Sequence, residues 1–287
     1  MLKRSTIQLL RFPFSFFLLP VFLWAVATQT DLHLGRTILI FLILHGLVYP
    51  ASNGYNSYMD RDTTPIGGIR DPLPPTLELY RVTLVMDAMA ILLSLIISPI
   101  FAIGITVYIL ASHAYSYRGI RLKRHPILGY LVVVLCQGAL TYAMVYHGAS
   151  RTLTTTIPLW PACAASYLIG GFYPLTQVYQ HEADRKDGVT TISYRLGIRG
   201  TFIFCAVMYT QAMAIMLLYF TKVDRLAQFM LLTILFLPVL VYFLNWARAV
   251  WKNPAAADFT HTMRMNTIAA TCVSLAFLAL SVWNRFL

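Results

Sequence analysis

Two short segments of this sequence place carboxylates and amides at helical spacing, each at the end of a long apolar stretch. They are Asn56-Ser-Tyr-Met-Asp60-Arg-Asp62 and Gln180-His-Glu-Ala-Asp184-Arg-Lys-Asp187. Residues four apart lie on one face of a helix, so Asn56 stacks with Asp60 and Gln180 stacks with Asp184. Carboxylate and amide oxygens are hard ligands of the kind that bind Mg²⁺. If the two segments face each other, they predict a metal site made from Asn56, Asp60, Asp62, Gln180, Asp184 and Asp187.

Asp62 fits this site only under one condition. It lies two residues beyond Asp60 and would point elsewhere on a continuous helix. The helix must therefore end near Asp60, and the glycines at positions 67 and 68 favour an early end. The simpler alternative is that the acids of both segments pair with the neighbouring bases Arg61, Arg185 and Lys186 at a membrane surface.

A third segment, Tyr115-Ser-Tyr-Arg118-Gly-Ile-Arg121-Leu-Lys123-Arg124-His125, places four cations within seven positions. Arginine forks and a lysine point charge are suited to phosphate oxygens. The alternative is the general excess of positive charge in cytoplasmic loops. Next to two acidic segments that could hold a metal, the pattern predicts a site for a metal-bound diphosphate. Its expected anion ligands are Arg118, Arg121, Lys123, Arg124 and Arg185.

The composition predicts that lipid surrounds the elements that carry these segments. Of 287 residues, 58% are hydrophobic and 11% are charged, and the mean hydropathy is +0.66. Soluble domains carry roughly 25% charged residues. Apolar stretches that could cross or nearly cross a bilayer lie at residues 12–29, 37–58, 79–97, 98–114, 127–147, 157–179, 201–221, 226–246 and 265–283. We therefore expect an all-α polytopic membrane protein with nine transmembrane helices, the first being a span and not a removable signal.

The basic residues predict the orientation of these spans. Lys3, Arg4 and Arg11 flank the first stretch and place the N-terminus inside, so nine spans place the C-terminus outside. In this layout 17 of the 22 basic residues lie inside, and the outside keeps only Arg36, Arg151, Lys222, Arg225 and Arg285. The net charge of +11 then follows from topology and requires no nucleic-acid partner. Both acidic segments end their spans on the inside, so we expect the site near the cytoplasmic face.

The three segments together resemble the hallmark motifs of the UbiA superfamily of intramembrane prenyltransferases. The matching residues are Asn56-x-x-x-Asp60-x-Asp62, the loop from Tyr115-Ser to Arg121-Leu-Lys123, and Asp184-Arg-x-x-Gly188-x-x-Thr191-Ile-Ser-x-x-Leu196-Gly197. The resemblance covers the whole chain and implies a single domain over residues 1–287, a nine-helix bundle around a central cavity. It also implies that Mg²⁺ on the two aspartate motifs binds an isoprenoid diphosphate, whose prenyl group passes to an aromatic or other lipophilic acceptor. Asn56, Asp60, Asp62 and Asp184 are then the expected catalytic residues.

The chain departs from the family pattern at two positions. The first motif usually places its second acid four residues beyond the first, where this sequence has Thr64, so that Asp62 must replace it from another spacing. The second motif usually begins with an aspartate, and this sequence has Gln180 there. These departures keep open a second chemistry within the same fold, in which a terpene cyclase captures the cation with the substrate's own double bonds.

Ionisation of a prenyl diphosphate leaves a carbocation, which requires unreactive walls. Cation–π contact from aromatic rings is suited to this task, and the candidates near the helix ends are Tyr55, Tyr58, Tyr115, Phe172, Tyr173 and Tyr179. The alternative is an interfacial aromatic belt. Asp87, His113 and Asn266 are candidates for binding an acceptor deeper in the cavity. A secondary transporter is the remaining function class, but its charges would tend towards the membrane midplane.

Overall fold

A computed structural model describes residues 2–286 and the side chains of residues 2–285. Within this range all regular secondary structure is helical, and the only extended pairing is two isolated bridges, Leu32 with Ser150 and Ile66 with Ile69. The expected all-α class is confirmed. The α-helices are α1 (Arg4–Leu10), α2 (Leu19–Thr28), α3 (Leu34–Phe41), α4 (Tyr49–Asp60), α5 (Leu77–Ile97), α6 (Pro99–Ser116), α7 (Pro126–Val134), α8 (Thr141–Ala149), α9 (Leu159–Phe172), α10 (His181–Lys186), α11 (Ile192–Lys222), α12 (Leu226–Lys252) and α13 (Phe259–Phe286).

Short segments of other helix types join several of these helices into longer rods. Those of 3₁₀ type are Phe12–Leu18, Leu122–Arg124, Tyr173–Gln177 and Pro254–Ala256, and those of π type are Leu42–Val48 and Leu135–Leu140. Eight rods in the described chain are long and apolar enough to cross a membrane: Arg4–Thr28, Leu34–Asp60, Leu77–Ile97, Pro99–Ser116, Pro126–Ala149, Ile192–Lys222, Leu226–Lys252 and Phe259–Arg285. We number them spans 1 to 5 and 7 to 9, because α9 lies between the fifth and the seventh.

The predicted sixth span is the one that differs in length. Helix α9 has 14 residues, about 21 Å of rise, which is less than a hydrocarbon core of about 30 Å. The 3₁₀ segment Tyr173–Gln177 continues it for about another 10 Å. The count of nine transmembrane helices therefore stays a prediction, which depends on whether this composite element crosses the bilayer.

The first span and the seventh span each contain a break that lies before the apolar stretch predicted from the sequence. Arg11 takes the left-handed conformation, with φ 48°, between α1 and the 3₁₀ segment that contains Pro13. Gly197 has φ 70° inside α11 and kinks it. The apolar stretches predicted from residues 12 and 201 begin just after these two breaks, because the residues before each break belong to the polar end of the bundle.

The core is closed by aromatic contacts and by close helix approach. Trp24 is fully buried, packs at 4.9 Å ring separation on Phe277, and donates from Nε1 to the Pro161 carbonyl at 2.9 Å. Gly138 lies in the π segment of the fifth span, where an added Cβ would be 2.4 Å from the Ser166 Cα. The fifth span can therefore approach α9 only because this residue has no side chain.

Candidate functional site

One cavity of about 310 Å³ lies in the middle of the bundle, and residues from both acidic segments line it. The first segment contributes Asn56, Asp60 and Asp62. The second contributes Gln180, Asp184 and Asp187. Further residues from the third segment line the same cavity: Tyr115, Ser116 and Lys123. The structure thus brings together all six predicted metal-ligand residues around one space.

The first segment reaches the cavity because α4 ends at the right residue. The amide of Asn56 donates from Nδ2 to Asp60 Oδ2 and to Ser116 Oγ, each at 3.0 Å, as the i, i+4 spacing predicts. Asp60 is the last residue of α4, and Arg61 terminates the helix in the left-handed conformation with φ 56°. The turn at Arg61 allows Asp62 to line the cavity. The helix therefore ends near Asp60, as the prediction for Asp62 requires, and the residue that ends it is Arg61 and not the glycines at 67 and 68.

The second segment is a short helix tied to the loop after the first. Gln180 precedes α10 and donates from Nε2 to the Pro65 carbonyl at 3.4 Å. Asp184 lies inside α10, and Asp187 follows its last residue. Gln180 therefore links the two acidic segments through a backbone carbonyl, a contact that an aspartate could not make because it has no N–H to donate.

Two of the four acids that line the cavity, Asp60 and Asp187, pair with the third segment and not with their sequence neighbours. The Lys123 ammonium forms an ion pair with Asp60 Oδ2. Arg121 is buried, pairs with Asp187, and lies 3.7 Å from Asp60 Oδ1. The alternative of pairing with adjacent bases applies to Glu182, which binds Lys186 at 2.7 Å on an exposed surface.

The other predicted anion ligands lie further out. Arg118 is exposed, donates from Nε to the Met59 carbonyl at 2.7 Å, and comes within 4.0 Å of Asp187. It closes the end of α4 and stands at the rim. Arg124 and Arg185 are both exposed, outside the set of residues that the described chain contributes to the cavity wall. Lys123 and Arg121 are thus the two predicted cations that are largely buried beside the acids, because the left-handed turn at Arg121 (φ 51°) directs the chain inward.

Burial makes two of the carboxyls hold their protons more strongly than usual. It raises the pKa of Asp62 to about 6, with the nearby Asp60 charge as the next cause. Burial also raises the pKa of Asp184 to about 7, against the attraction of Lys123. Uncompensated carboxylates in a space of low dielectric constant resist ionisation until a cation joins them.

Two observations test whether these residues fit a divalent metal. Across the described residues no three His, Cys, Asp or Glu side chains converge as a metal-binding cluster, and Lys123 and Arg121 hold Asp60 and Asp187 in ion pairs. Asp60 Oδ1 and Asp184 Oδ2 are nevertheless buried without a hydrogen-bond partner in the described chain. Buried carboxylate oxygens of this kind are normally compensated, and hard oxygen donors are the ligands of Mg²⁺. The donor set fits the metal once the lysine and arginine move to other anions.

Comparison with known proteins decides the family. The model of the UbiA prenyltransferase family matches residues 15–268. This chain belongs to the UbiA prenyltransferase family. A curated relative, the bacteriochlorophyll synthase 33 kDa chain of Cereibacter sphaeroides, is 29% identical over 170 residues, which cover 56% of this chain and 55% of that protein. The matched region thus spans about half the length of that relative.

Solved structures share the whole fold. A UbiA homologue from Archaeoglobus fulgidus, bound to GPP and Mg²⁺, has a TM-score of 0.68 and 18% identity, covering 97% of this chain and 100% of that chain. The apo UbiA homologue from Aeropyrum pernix K1 has a TM-score of 0.67 and 17% identity, covering 96% and 99%. The apolar spans and the family together identify an integral membrane protein with the UbiA fold.

The departures from the family pattern can now be located in this UbiA protein. Thr64 and Asp62 both line the cavity, so the shifted acid lies at the same wall as the position where the family usually has one. Gln180 also lines the cavity, and its amide holds the Pro65 carbonyl. The altered motifs therefore keep their position in the fold, with one acid shifted in the first motif and one acid replaced by an amide in the second.

The predicted aromatic wall divides into two groups. Tyr115, Phe172, Tyr173 and Tyr179 line the cavity, and the Tyr115 and Tyr173 hydroxyls form a hydrogen bond. The prediction for Tyr55 and Tyr58 is wrong. Tyr55 stacks on His113 at 3.9 Å, and Tyr58 packs on Tyr80 at 5.0 Å. Because each helical residue turns the side chain by about 100°, the face that carries Asn56 and Asp60 carries neither tyrosine.

Arg11 is a cavity residue that the sequence pattern did not identify. It is 8% exposed, and it donates from Nη2 to the Asn53 carbonyl at 3.1 Å and from Nη1 to the Gly67 carbonyl at 3.3 Å. Its Nε is buried without a hydrogen-bond partner in the described chain. A buried guanidinium without a carboxylate partner is costly unless an anion joins it. An arginine followed by Phe12-Pro13, between two apolar runs, was the available signal, but it was counted only as a topology charge.

The three deeper candidates also separate. Asp87 Oδ2 accepts a hydrogen bond from His113 Nε2 at 2.9 Å, and this pair packs between α5 and α6 away from the cavity. Asn266 lines the cavity from the first turns of α13. The Asp87–His113 pair therefore acts as a contact between spans, whereas Asn266 faces the space where a ligand would lie.

Proposed function

We propose that this chain is a Mg²⁺-dependent intramembrane enzyme that ionises an isoprenoid diphosphate and transfers the prenyl group to a lipophilic acceptor. One observation carries the proposal: both acidic segments and a cation of the third segment line a single cavity whose remaining wall is largely apolar. Such a cavity matches a substrate with a charged head and a hydrocarbon tail. Membership of the prenyltransferase family and the GPP and Mg²⁺ carried by a structural neighbour support the same substrate class.

The residues of the chain divide the head group between them. Asp60, Asp62, Asp184 and Asp187, with the amide oxygens of Asn56 and Gln180, would hold Mg²⁺. When bound, the metal supplies Lewis-acid polarisation of the diphosphate oxygens and neutralises the charge that develops on them. Lys123, Arg121 and Arg11 are placed to bind the remaining oxygens, with Arg118 at the rim. Each would then exchange a carboxylate or a backbone carbonyl for the substrate's phosphate.

The aromatic wall serves the other product of ionisation. The rings of Tyr115, Phe172, Tyr173 and Tyr179 would shield the allylic cation from water, and each cation–π contact contributes about 0.5–2 kcal/mol where the ring is correctly placed. The shape of the apolar wall holds the hydrocarbon tail extended away from the head group. The acceptor approaches the cation from the same apolar side.

The predicted topology forms part of this proposal. We infer a single domain in which α9 and the 3₁₀ segment Tyr173–Gln177 together cross the bilayer as the ninth helix. The N-terminus and the charged mouth of the cavity then face the cytoplasm. Single-cysteine variants at Arg118 and Arg151, labelled from each side of sealed vesicles in a background without the native cysteines, test this layout. Labelling of both positions from the same side would contradict it.

Diphosphate release is the direct test of the activity. The purified protein in lipid nanodiscs should release diphosphate from geranyl or geranylgeranyl diphosphate with Mg²⁺ and not with EDTA, and Asp60→Asn or Asp184→Asn should reduce release by at least a hundredfold. Arg124→Gln, at an exposed position outside the cavity, is the matched control and should stay near wild type. No metal-dependent release from any prenyl donor, with prenyl diphosphate flux across vesicles instead, would contradict the enzyme and favour a transporter.

Product analysis separates transfer from cyclisation. Without an added acceptor, a transferase should release at most the prenyl alcohol that water produces. A cyclic hydrocarbon or a cyclic alcohol formed under these conditions would replace prenyl transfer with the cyclase reaction at the same site.

A further inference from the structure

Beyond the charged mouth and the two amides within one turn of it, Asn53 and Gln177, two neutral amide side chains interrupt the apolar wall of the cavity. They are Asn266 of span 9 and Gln137 of span 5, and both line the cavity. A polar side chain inside a membrane span is costly and usually faces a cavity with a function. The proposed prenyl transfer assigns no role to either residue.

Asn266 is buried but has no partner. It is 5% exposed, and its side chain makes no hydrogen bond to the part of the chain that the structure describes. It lies about 10 Å beyond the start of α13 at Phe259, and nearly one turn deeper than Met263, whose Sδ accepts from the Gly68 backbone N–H at 3.3 Å. The Asn266 amide therefore lies deeper in the membrane than the contact between Gly68 and Met263. It can both donate and accept a hydrogen bond.

Gln137 lies deeper still, in the π segment Leu135–Leu140. It is about 16 Å from the start of the fifth span at Pro126, close to the middle of a hydrocarbon core of about 30 Å. π segments inside α-helices occur often at functional sites because they turn a side chain out of the regular ladder. Here the π segment also brings Gly138 against Ser166, and the adjacent Gln137 lines the cavity with its amide within hydrogen-bond reach of the Tyr108 hydroxyl.

The charge distribution limits what these amides can bind. The charged residues that line the cavity in the described chain lie at its mouth: Arg11, Asp60, Asp62, Lys123, Asp184 and Asp187. Around Asn266 and Gln137 the lining is apolar or neutral: Tyr108, Cys136, Ala269, Ala270 and Val273. An ionised group there would be desolvated without a counter-ion, which is far more costly than burying a hydroxyl that forms a hydrogen bond.

We infer that Asn266 and Gln137 form the polar part of an acceptor subsite that is specific for an uncharged lipophilic molecule with a hydroxyl or carbonyl group. This inference rests on the proposed function and names its acceptor class: an alcohol, phenol or quinol is accepted, and a carboxylate is excluded. Each amide orients the acceptor's oxygen within the apolar cavity. The two residues bind the acceptor, and the diphosphate end remains unaffected by them.

Equilibrium binding of three probes of similar size tests the inference. The probes are 1-naphthol, 1-methylnaphthalene and 1-naphthoate, titrated into the full-length protein in nanodiscs with Mg²⁺ and a geranyl thiolodiphosphate that resists ionisation. We expect 1-naphthol to bind about tenfold more tightly than 1-methylnaphthalene, the size of one or two net hydrogen bonds, and more tightly than 1-naphthoate. Asn266→Leu and Gln137→Met should each reduce the preference for naphthol, and the double variant should remove it.

The control and the contrary results are separate for the two proposals. Asn245→Leu removes an exposed amide of span 8 that lies outside this cavity and should leave the preference unchanged. Wild-type affinity for the thiolodiphosphate in the two subsite variants shows that they are folded. Three results would overturn the subsite. Naphthoate could bind more tightly than naphthol, or the preference for naphthol could survive in the double variant. The third is that naphthol does not bind to protein that holds the thiolodiphosphate. If the wild type does not bind the thiolodiphosphate in the presence of Mg²⁺, the proposed function is contradicted instead. The subsite can then still be tested by measuring naphthol binding without the thiolodiphosphate.

Discussion

The Lys123 ammonium and the Asp60 carboxylate form an ion pair inside the mouth of the cavity, where their side chains are 10% and 6% exposed. In the proposed function these same groups separate, with Asp60 binding the metal and Lys123 binding the diphosphate. The pair therefore stabilises the site when no substrate is present, since each ion compensates the other in a poorly solvated space. Metal and diphosphate must then bind cooperatively, because each releases the group that the other requires.

Lys123→Met is expected to separate these two roles. Without its lysine, Asp60 Oδ2 loses its ion-pair partner, so Mn²⁺ in the absence of pyrophosphate should bind about tenfold more tightly than in the wild type, the effect of about 1.4 kcal/mol. Pyrophosphate affinity should fall in the same variant. Electron paramagnetic resonance of Mn²⁺ measures the first quantity, and calorimetry measures the second. Arg124→Met, exposed nearby, should change neither, and an unchanged Mn²⁺ affinity in Lys123→Met would show that the pair does not compete with the metal.

Arg11→Met should weaken anion binding without weakening the fold. The wild-type guanidinium has a buried Nε without a partner in the described chain, so removing the charge relieves a desolvation cost and offsets the two lost backbone contacts. We expect a melting temperature within a few degrees of the wild type in the absence of ligands. The rise in melting temperature on adding Mg²⁺ and pyrophosphate should shrink, because it follows ligand affinity.

Two comparisons check this interpretation of Arg11. Arg11→Lys keeps a positive charge and should recover part of the pyrophosphate effect. Arg70→Met removes an exposed arginine that contacts Thr260 and the Phe259 ring and should retain all of it. A large loss of stability in Arg11→Met without ligands would mean that the arginine serves chiefly as a structural brace between the carbonyls of Asn53 and Gly67.

The raised pKa of Asp184, about 7 against an ordinary 3.8, predicts how stability changes with pH. Between these two values the folded protein holds a proton that the unfolded chain has lost, so the metal-free protein loses stability as the pH rises from about 4 to about 7. In EDTA, the melting temperature should therefore be lower at pH 7.5 than at pH 5. Asp184→Asn should flatten this decline, whereas Asp31→Asn, at a partly exposed aspartate near Arg151, should not.

Magnesium should stabilise the protein more at high pH than at low pH. The metal binds the ionised carboxylate, so its affinity should increase as Asp184 loses its proton between pH 6 and pH 8. The increase in melting temperature caused by Mg²⁺ should accordingly be larger at pH 8 than at pH 6. A Mg²⁺-induced rise in melting temperature that is the same at pH 6 and pH 8 would contradict a metal-binding role for this carboxylate. A rise that is as large in Asp184→Asn as in the wild type would contradict it as well.

Local spacing was enough to predict the part of the site that lies on regular helix. The i, i+4 rule placed Asn56 next to Asp60, and the condition for Asp62, an early helix end, is met by the turn at Arg61. The same rule, applied consistently, would have excluded Tyr55 and Tyr58 from the cavity. Both tyrosines lie close to Asn56 and Asp60 in sequence, but their rings pack on His113 and Tyr80 on other faces of α4.

The remaining features depend on tertiary contacts that no local pattern carries. The break at Arg11 is held by carbonyls of residues 53 and 67, which are distant in sequence. Lys123 and Arg121 meet Asp60 and Asp187 only because two loops fold together at the mouth. Hydropathy predicted eight spans, and most of their ends lie within about one helical turn of the observed ends. It could not show that α9 ends after 14 residues and continues as a 3₁₀ segment.

Gly138→Ala should destabilise the bundle at the contact that positions Gln137. The new Cβ would lie 2.4 Å from the Ser166 Cα, a backbone atom that cannot move away alone, so the fifth span must shift from α9. Overpacking of this kind costs about 1–3 kcal/mol, more than the gain of up to about 1 kcal/mol from replacing glycine by alanine in a helix. Gly46→Ala is the matched control, since Gly46 also lies in a π segment and an added Cβ meets nothing within 4 Å. We expect Gly138→Ala to have a lower melting temperature in nanodiscs than the wild type, and Gly46→Ala an equal or higher one. Equal melting temperatures for the two variants would show that the fifth span is free to adjust.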